Sequence, residues 1–154
     1  MRGLPDELTA TRRDVRRRVD DGTGLVVVAL QCRYEAPVED VWDAVTDPDR
    51  LARWLGPVTG DLQEGGSLQL EGNAGWDVTV LAPALFLRGE VVEDPVAWED
   101  TLEVQRVSER SIAAWADVVT AGRTATDDEV AAAVDAARAQ FAPDLPTAPA
   151  TADD

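Results

Sequence analysis

Residues 34–48 read YEAPVEDVWDAVTDP, and this stretch decides the fold. Proline suits the first turn of a helix, so Pro37 predicts a short helix that begins there. The apolar residues that follow have helical spacing and form one stripe, which consists of Val38, Val41, Trp42 and Val45. A helix with one apolar side must pack against other elements, so the stretch predicts a helix laid on a core.

A second short helix is predicted directly after the first. Asp47 is suited to be its N-cap and Pro48 to be its first residue. Leu51, Trp54 and Leu55 give this helix an apolar side of its own, and Gly56-Pro57 ends it.

Upstream of these helices the pattern predicts a β-hairpin. Residues 25–34 alternate as a strand does, and residues 11–19 precede them across a turn at 20–24. The first half of strand 25–34 is apolar on both faces, so we expect both of its sides to be covered. Cys32 is interpreted as a small core residue. The five arginines in 11–19 indicate a charged edge strand, with a nucleic-acid-binding arm as the alternative interpretation.

Downstream, glycine-rich turns separate two short strands. We expect strands at 61–64 and 67–71, joined by a tight Gly65-Gly66 turn, and a second turn at 72–75. A helix from Trp76 to Arg88 follows in place of another strand, although Pro83 lies inside it.

The remainder of the sequence predicts further helices. Asp94-Pro95 starts a helix that contains Trp98 and Leu102, and residues 108–121 form another. A capping box at 126–129 precedes the last helix, which carries Val130, Val134, Ala137 and Phe141. The segment 142–154, rich in Pro, Ala, Thr and Asp, is expected to be a disordered tail.

Composition limits the kinds of function. The 154 residues suffice for one domain, and 30 acidic side chains against 14 basic ones give a formal net charge of −16. This charge disfavours nucleic acid and anionic membranes as partners. With no His and with Cys32 as the single thiol, the chain lacks the residues for a His-dependent nucleophile or a zinc site. We therefore predict no metal and no cofactor, and a cytoplasmic location.

The sequence resembles the SRPBCC (START-like) superfamily, in the branch homologous to the activator of heat-shock-protein-90 ATPase. The resemblance lies in four segments, at 34–48, 50–58, 60–62 and 65–75. The resemblance implies an α+β helix-grip fold, in which an antiparallel sheet wraps a long C-terminal helix around a ligand cavity. Several strands that such proteins carry between Gly75 and Trp76 are missing here. We therefore hypothesise an internal deletion after Gly75, which leaves a partial sheet of about four strands packed with C-terminal helices. The predicted domain spans 1–141 and the tail 142–154.

The resemblance further implies a non-enzymatic domain that binds an apolar small molecule in the cavity between sheet and helix, with binding impaired by the missing strands. The candidate lining residues are Val28, Leu30, Trp42, Trp54, Leu55, Leu68, Leu70, Trp76 and Val80.

Two alternative functions come from the same resemblance. One is a co-chaperone-like module that binds a protein partner. The other is an enzyme like the polyketide cyclases and aromatases, with Tyr34, Asp43, Asp61 or Asp77 for acid–base chemistry, although these carboxylates are more simply interpreted as cap, turn or surface residues. A homodimer through exposed sheet edges is a further partner hypothesis.

Overall fold

The computed structural model describes residues 8, 10–61, 63–70, 75–90 and 94–146. The strands are β1 (Arg12–Asp20), β2 (Thr23–Gln31), β3 (Val58–Gly60) and β4 (Leu68–Leu70). The helices are α1 (Val38–Thr46), α2 (Pro48–Leu51), α3 (Trp76–Leu87), α4 (Pro95–Glu99), α5 (Leu102–Gly122) and α6 (Asp127–Phe141). The predicted α+β class, with four strands ahead of a helical C-terminal part, is confirmed.

The four strands form two separate antiparallel ribbons within the described residues. β1 pairs with β2 along their whole length, from Arg12 opposite Gln31 to Asp20 opposite Thr23. β3 pairs with β4, and in the described part of the chain no ladder joins the two ribbons. The predicted hairpin and its arginine-rich charged strand are therefore present.

The core is built around α3 instead of around a sheet. Apart from Asp77 and Thr79, helix α3 is apolar around its circumference, and a helix of this kind is stable only when most of its surface is buried. Val78, Leu81 and Leu85 pack with Val104 and Val107 of α5, and all five are buried. A second cluster, on the α2 side of α3, consists of Leu51, Trp54 and Ala82, with Leu55, Val58, Phe86 and Trp98 packed against it.

Capping residues lie at helix ends where the sequence predicted them. Asp47 accepts a hydrogen bond from the Arg50 backbone N–H at the start of α2. Thr126 and Glu129 form the predicted capping box at the start of α6. At the end of α3, Gly89 adopts a positive φ of 75°, which favours glycine.

The second ribbon differs from its prediction. Strands were expected at 61–64 and 67–71 around a two-residue turn, whereas Val58–Gly60 pairs with Leu68–Leu70 across a longer loop. Within that loop the Gly66 N–H donates to the Gln63 carbonyl at 2.9 Å, and the Gln63 N–H donates to Asp61 Oδ1 at 3.1 Å. These local hydrogen bonds use backbone groups of Gln63 and Gly66 that a longer ladder would have used, and the pairing ends after the Asp61 N–H donates to the Ser67 carbonyl at 2.8 Å. Glu71 and the turn residues 72–74 lie outside the described residues.

Two further expectations are corrected. Leu102 does not continue the helix of Trp98, because Thr101 caps a new helix through the Val104 N–H, and α5 starts there instead of at Ser108. The first half of β2 is not covered on both sides, since Val26 and Val28 are 58% and 51% exposed.

The segment predicted to be a tail begins with packed residues. Ala142 is buried, and the Asp144 N–H donates to Gln105 Oε1 while Gln105 Nε2 donates to Asp144 Oδ2. Residues 147–154 lie outside the described residues, and the division at 141/142 stays a prediction.

Candidate functional site

Helices α5 and α6 form an antiparallel pair with an apolar groove of about 210 Å³ between them. Its lining comprises a stripe at helical spacing from each helix, the Ala125 of the connection, and one carboxylate, Glu129. The apolar lining residues are Ile112, Trp115, Ala116, Val119, Ala125, Val130, Ala133, Val134 and Ala137. Residues three and four apart lie on the same side of a helix, so each set forms a stripe. The two stripes face each other across the groove.

Trp115 is fixed in this groove by a buried carboxylate behind it. Its indole N–H donates to Asp77 Oδ2, and the Ser111 hydroxyl donates to the same oxygen. The other oxygen, Oδ1, accepts from Arg13 Nη2 at 2.5 Å. The Asp77 and Arg13 side chains are only 1% and 7% exposed, so this ion pair lies in the interior.

Arg13 brings strand β1 into the same cluster. Its guanidinium also donates to the carbonyl oxygens of Thr11 and Leu8. Only its Nε is buried without a hydrogen-bond partner among the described residues. The cluster therefore joins β1, α3 and α5 at one point, and the position of Trp115 depends on all three.

The structure corrects the sequence-based interpretation of Asp77 as a cap or surface residue. Asp77 is 2% exposed, and three donors occupy both of its oxygens. Asp61 is a turn residue as predicted, and Asp43 is an exposed residue that pairs with Arg50 at 3.6 Å. No three His, Cys, Asp or Glu side chains in the described part of the chain are grouped to hold a metal ion.

A second and larger space lies on another side of α5, where it reaches about 480 Å³. It is lined mainly by charged side chains, with Val107, Leu145 and Pro146 as its apolar part. Small-molecule sites are predominantly apolar with few polar groups, so the α5–α6 groove fits that description better.

The nine residues predicted to line a cavity lie in several places. Trp54 and Leu55 belong to the cluster beside α3, and the Trp54 indole N–H donates to the Ala44 carbonyl at 2.9 Å. Val80 is half-buried on α3, where its carbonyl accepts from the Tyr34 hydroxyl at 2.7 Å.

The remaining cavity candidates lie on strands and at exposed positions. Leu30 is half-buried on β2, while the residues that are about half exposed or more are Val28, Trp42, Leu68 and Trp76. Leu70 is on β4, and its side chain lies outside the described part. None of the nine lines the α5–α6 groove, so the role of this set in binding stays a prediction.

A sequence signal for the groove was present. Ile112, Trp115 and Val119, together with Val130, Val134 and Ala137, already formed the apolar stripes of two helices. Stripes of this kind are usually core, and the sequence does not reveal that two of them leave a space between them.

Comparison with known proteins places this architecture in a class. Residues 35–85 match the family model "Activator of Hsp90 ATPase homolog 1-like protein", which covers α1 to most of α3 and crosses the Gly75–Trp76 junction. The solution NMR structure of CalU16 from Micromonospora echinospora is similar, with a TM-score of 0.58 and 25% identity. That match covers 73% of this chain and 97% of CalU16. No curated protein is significantly similar to the chain.

Segment 35–85 is therefore similar to the Hsp90-ATPase-activator-homologue family, and the similarity to CalU16 supports an SRPBCC (START-like) fold for the chain. Among the described helices, none is both long enough and apolar enough to cross a bilayer.

Proposed function

We propose that this START-like domain is a non-enzymatic, cytoplasmic protein that binds a small apolar molecule in the groove between α5 and α6. The observation that carries the proposal is the lining of the groove, which is apolar except for Glu129 and contains a tryptophan held rigidly from behind. Apolar cavities of about 150 Å³ accommodate benzene, so a groove of about 210 Å³ is large enough for a compound with one or two rings.

The proposal departs from the cavity between sheet and helix that the family resemblance implied. In the described residues, helix α5 lies against β1, and Leu25, Val26 and Val28 of β2 remain exposed. A space that lacks a wall does not remove a ligand from water, whereas the facing stripes of α5 and α6 supply two walls.

A catalytic role is not favoured by the geometry of Asp77. A general acid or base must reach the proton of a substrate. Both oxygens of Asp77 already accept hydrogen bonds from protein donors, and its side chain is 1% exposed. Asp77 is therefore a positioning residue for Trp115 in this proposal. The co-chaperone alternative rests on the name of the matched family alone.

The experiment is a titration with naphthalene followed by NMR, observing the indole N–H resonances of the full chain. The Trp115 resonance is expected to shift in a saturable way, because this side chain lines the groove. A saturable shift confined to Trp42, Trp54 or Trp76, which are among the predicted cavity residues, would move the ligand to the sheet–helix cavity, and no saturable shift at any tryptophan would overturn ligand binding.

Two variants on neighbouring positions sharpen this test. Ala133→Phe fills the groove and should abolish the naphthalene-dependent shift of Trp115. Ala132→Phe is the matched control, because Ala132 is exposed on α6 and does not line the groove. Equal binding by both variants would contradict the assignment of the site.

A further inference from the structure

Strand β2 has the features of an edge that pairs with another strand. Its nine residues contain no charge and no proline, and within the described residues only β1 pairs with it. Leu25, Val26 and Val28 are 41%, 58% and 51% exposed. A long, uncharged, apolar edge is the kind of edge that recruits a further strand.

The partner strand β1 is protected against such pairing. It carries five arginines, four of which are exposed, and charged residues on an edge oppose the addition of a strand. The two edges of one ribbon therefore differ. The arginines of β1 oppose the addition of a further strand, and β2 has no charged residue that would do so.

The inner face of the ribbon is identified by the contacts of β1. Arg13 reaches Asp77, and Arg17 donates to the Thr124 carbonyl. Val15 lies against Gly122, since a Cβ added to this glycine would be 3.7 Å from Val15 Cγ1. Residues opposite each other in an antiparallel pair share a face, and Val15 lies opposite Val28. Val26 and Val28 therefore belong to the face that looks toward the helices, yet they remain exposed.

We propose that β2 of one chain pairs with β2 of a second copy, antiparallel and about a two-fold axis at Val27. This register brings Val26 opposite Val28 of the second copy and joins two ribbons into one four-stranded sheet. The four valines then cover one another on the inner face. A two-fold interface needs only one self-complementary surface, which an uncharged strand provides.

Charge favours a second copy at this edge over other parts of the molecule. The chain has a net charge of −16, so two acidic surfaces repel each other. Residues 12–31 contain five arginines against three aspartates, which leaves this region without a negative excess. In the paired sheet the two β1 strands lie three strand spacings apart, about 14 Å, which exceeds the Debye length of about 8 Å at physiological salt.

The experiment measures the mass of the full chain in solution as a function of concentration, by light scattering or sedimentation. The wild-type chain should form a dimer. Val26→Lys combined with Val28→Lys places two pairs of like charges across the interface and should weaken dimerisation at least about tenfold. Mixing this variant with a Val26→Glu, Val28→Glu chain should restore a mixed dimer.

Val19→Lys is the matched control, since Val19 is a 73% exposed valine of β1 that lies away from the proposed interface. It should dimerise as the wild type does, and circular dichroism verifies that every variant is folded. A wild-type chain that stays monomeric, a lysine double variant that still dimerises, or a failure of the mixed pair would each overturn the proposal. The result does not depend on whether naphthalene binds the groove.

Discussion

Helix α3 and strand β2 are both apolar segments, and the structure treats them in opposite ways. In α3 the side chain of Leu81 is 2% exposed, whereas in β2 that of Val26 is 58% exposed. Helix α3 is covered by α1 and α2 on one side and by α5 on another. Among the described residues, strand β2 is paired along one edge only. The apolar composition of a segment thus predicts that its side chains should be buried, but the neighbouring elements determine whether they are.

The difference explains how a chain with few strands has a core. The resemblance to the SRPBCC superfamily predicts a sheet that covers the long helix, but here the helices cover one another around α3. The hypothesis of an internal deletion after Gly75 stays a prediction, which sequencing of the locus in close relatives tests. If those relatives share the short form, the deletion hypothesis is wrong.

The largest expected effect on stability comes from the buried ion pair that joins α3 to β1, the strand paired with β2. Asp77→Ala removes the partner of the buried Arg13 guanidinium, and an uncompensated buried charge destabilises a protein by about 3–5 kcal/mol. Chemical denaturation measures this loss. Asp43→Ala is the matched control, because its ion pair with Arg50 is exposed and should contribute less than about 1 kcal/mol. Similar losses in the two variants would contradict the structural role of the buried cluster.

The next effect compares α3 with β2 directly. Leu81→Ala leaves a cavity in the core and should lower the free energy of unfolding by about 2–5 kcal/mol. Val28→Ala removes methyl groups that are already half in water, so its effect should be within about 0.5 kcal/mol in a monomeric sample. Thermal melts at low protein concentration measure both. A Val28 variant as unstable as the Leu81 variant would mean that β2 is part of the core.

The smallest effect concerns the capping box, which lies on the surface at the start of α6. Hydrogen bonds from Thr126, from its backbone N–H first and its hydroxyl second, lower the pKa of Glu129 below the ordinary glutamate value. The cap therefore stabilises α6 at pH values above the ordinary pKa, and this contribution is lost as the pH falls through the lowered one.

NMR titration of the Thr126 amide measures that pKa. We expect its resonance to move with an apparent pKa below that of a free glutamate, and we expect no such titration in Glu129→Gln. A normal or raised pKa would show that the capping box does not form in solution.

The sequence predicted helix starts well where a capping residue or a proline marks the first turn. Asp47, Pro48 and the Thr126–Glu129 box defined helix starts correctly, because capping depends on neighbours in sequence. It also predicted that α3 would be a helix despite Pro83.

What failed, or remained out of reach, depends on distant residues. The Asp77 carboxylate was interpreted as a cap or surface residue, since no pattern near it reveals that Arg13, Ser111 and Trp115 converge on it. The exposure of β2 was missed for the same reason: covering a strand requires a second layer, and the strand's own sequence does not report whether that layer exists.

The measurement that tests the central claim most directly is amide hydrogen exchange on the full chain at a concentration where it is monomeric. We predict that the amides of α3 and the facing half of α5 exchange slowest, through global unfolding, while β2 amides exchange through smaller openings. Protection of β2 equal to that of α3 in the monomer, or rapid exchange throughout α3, would contradict a core built by helices around α3.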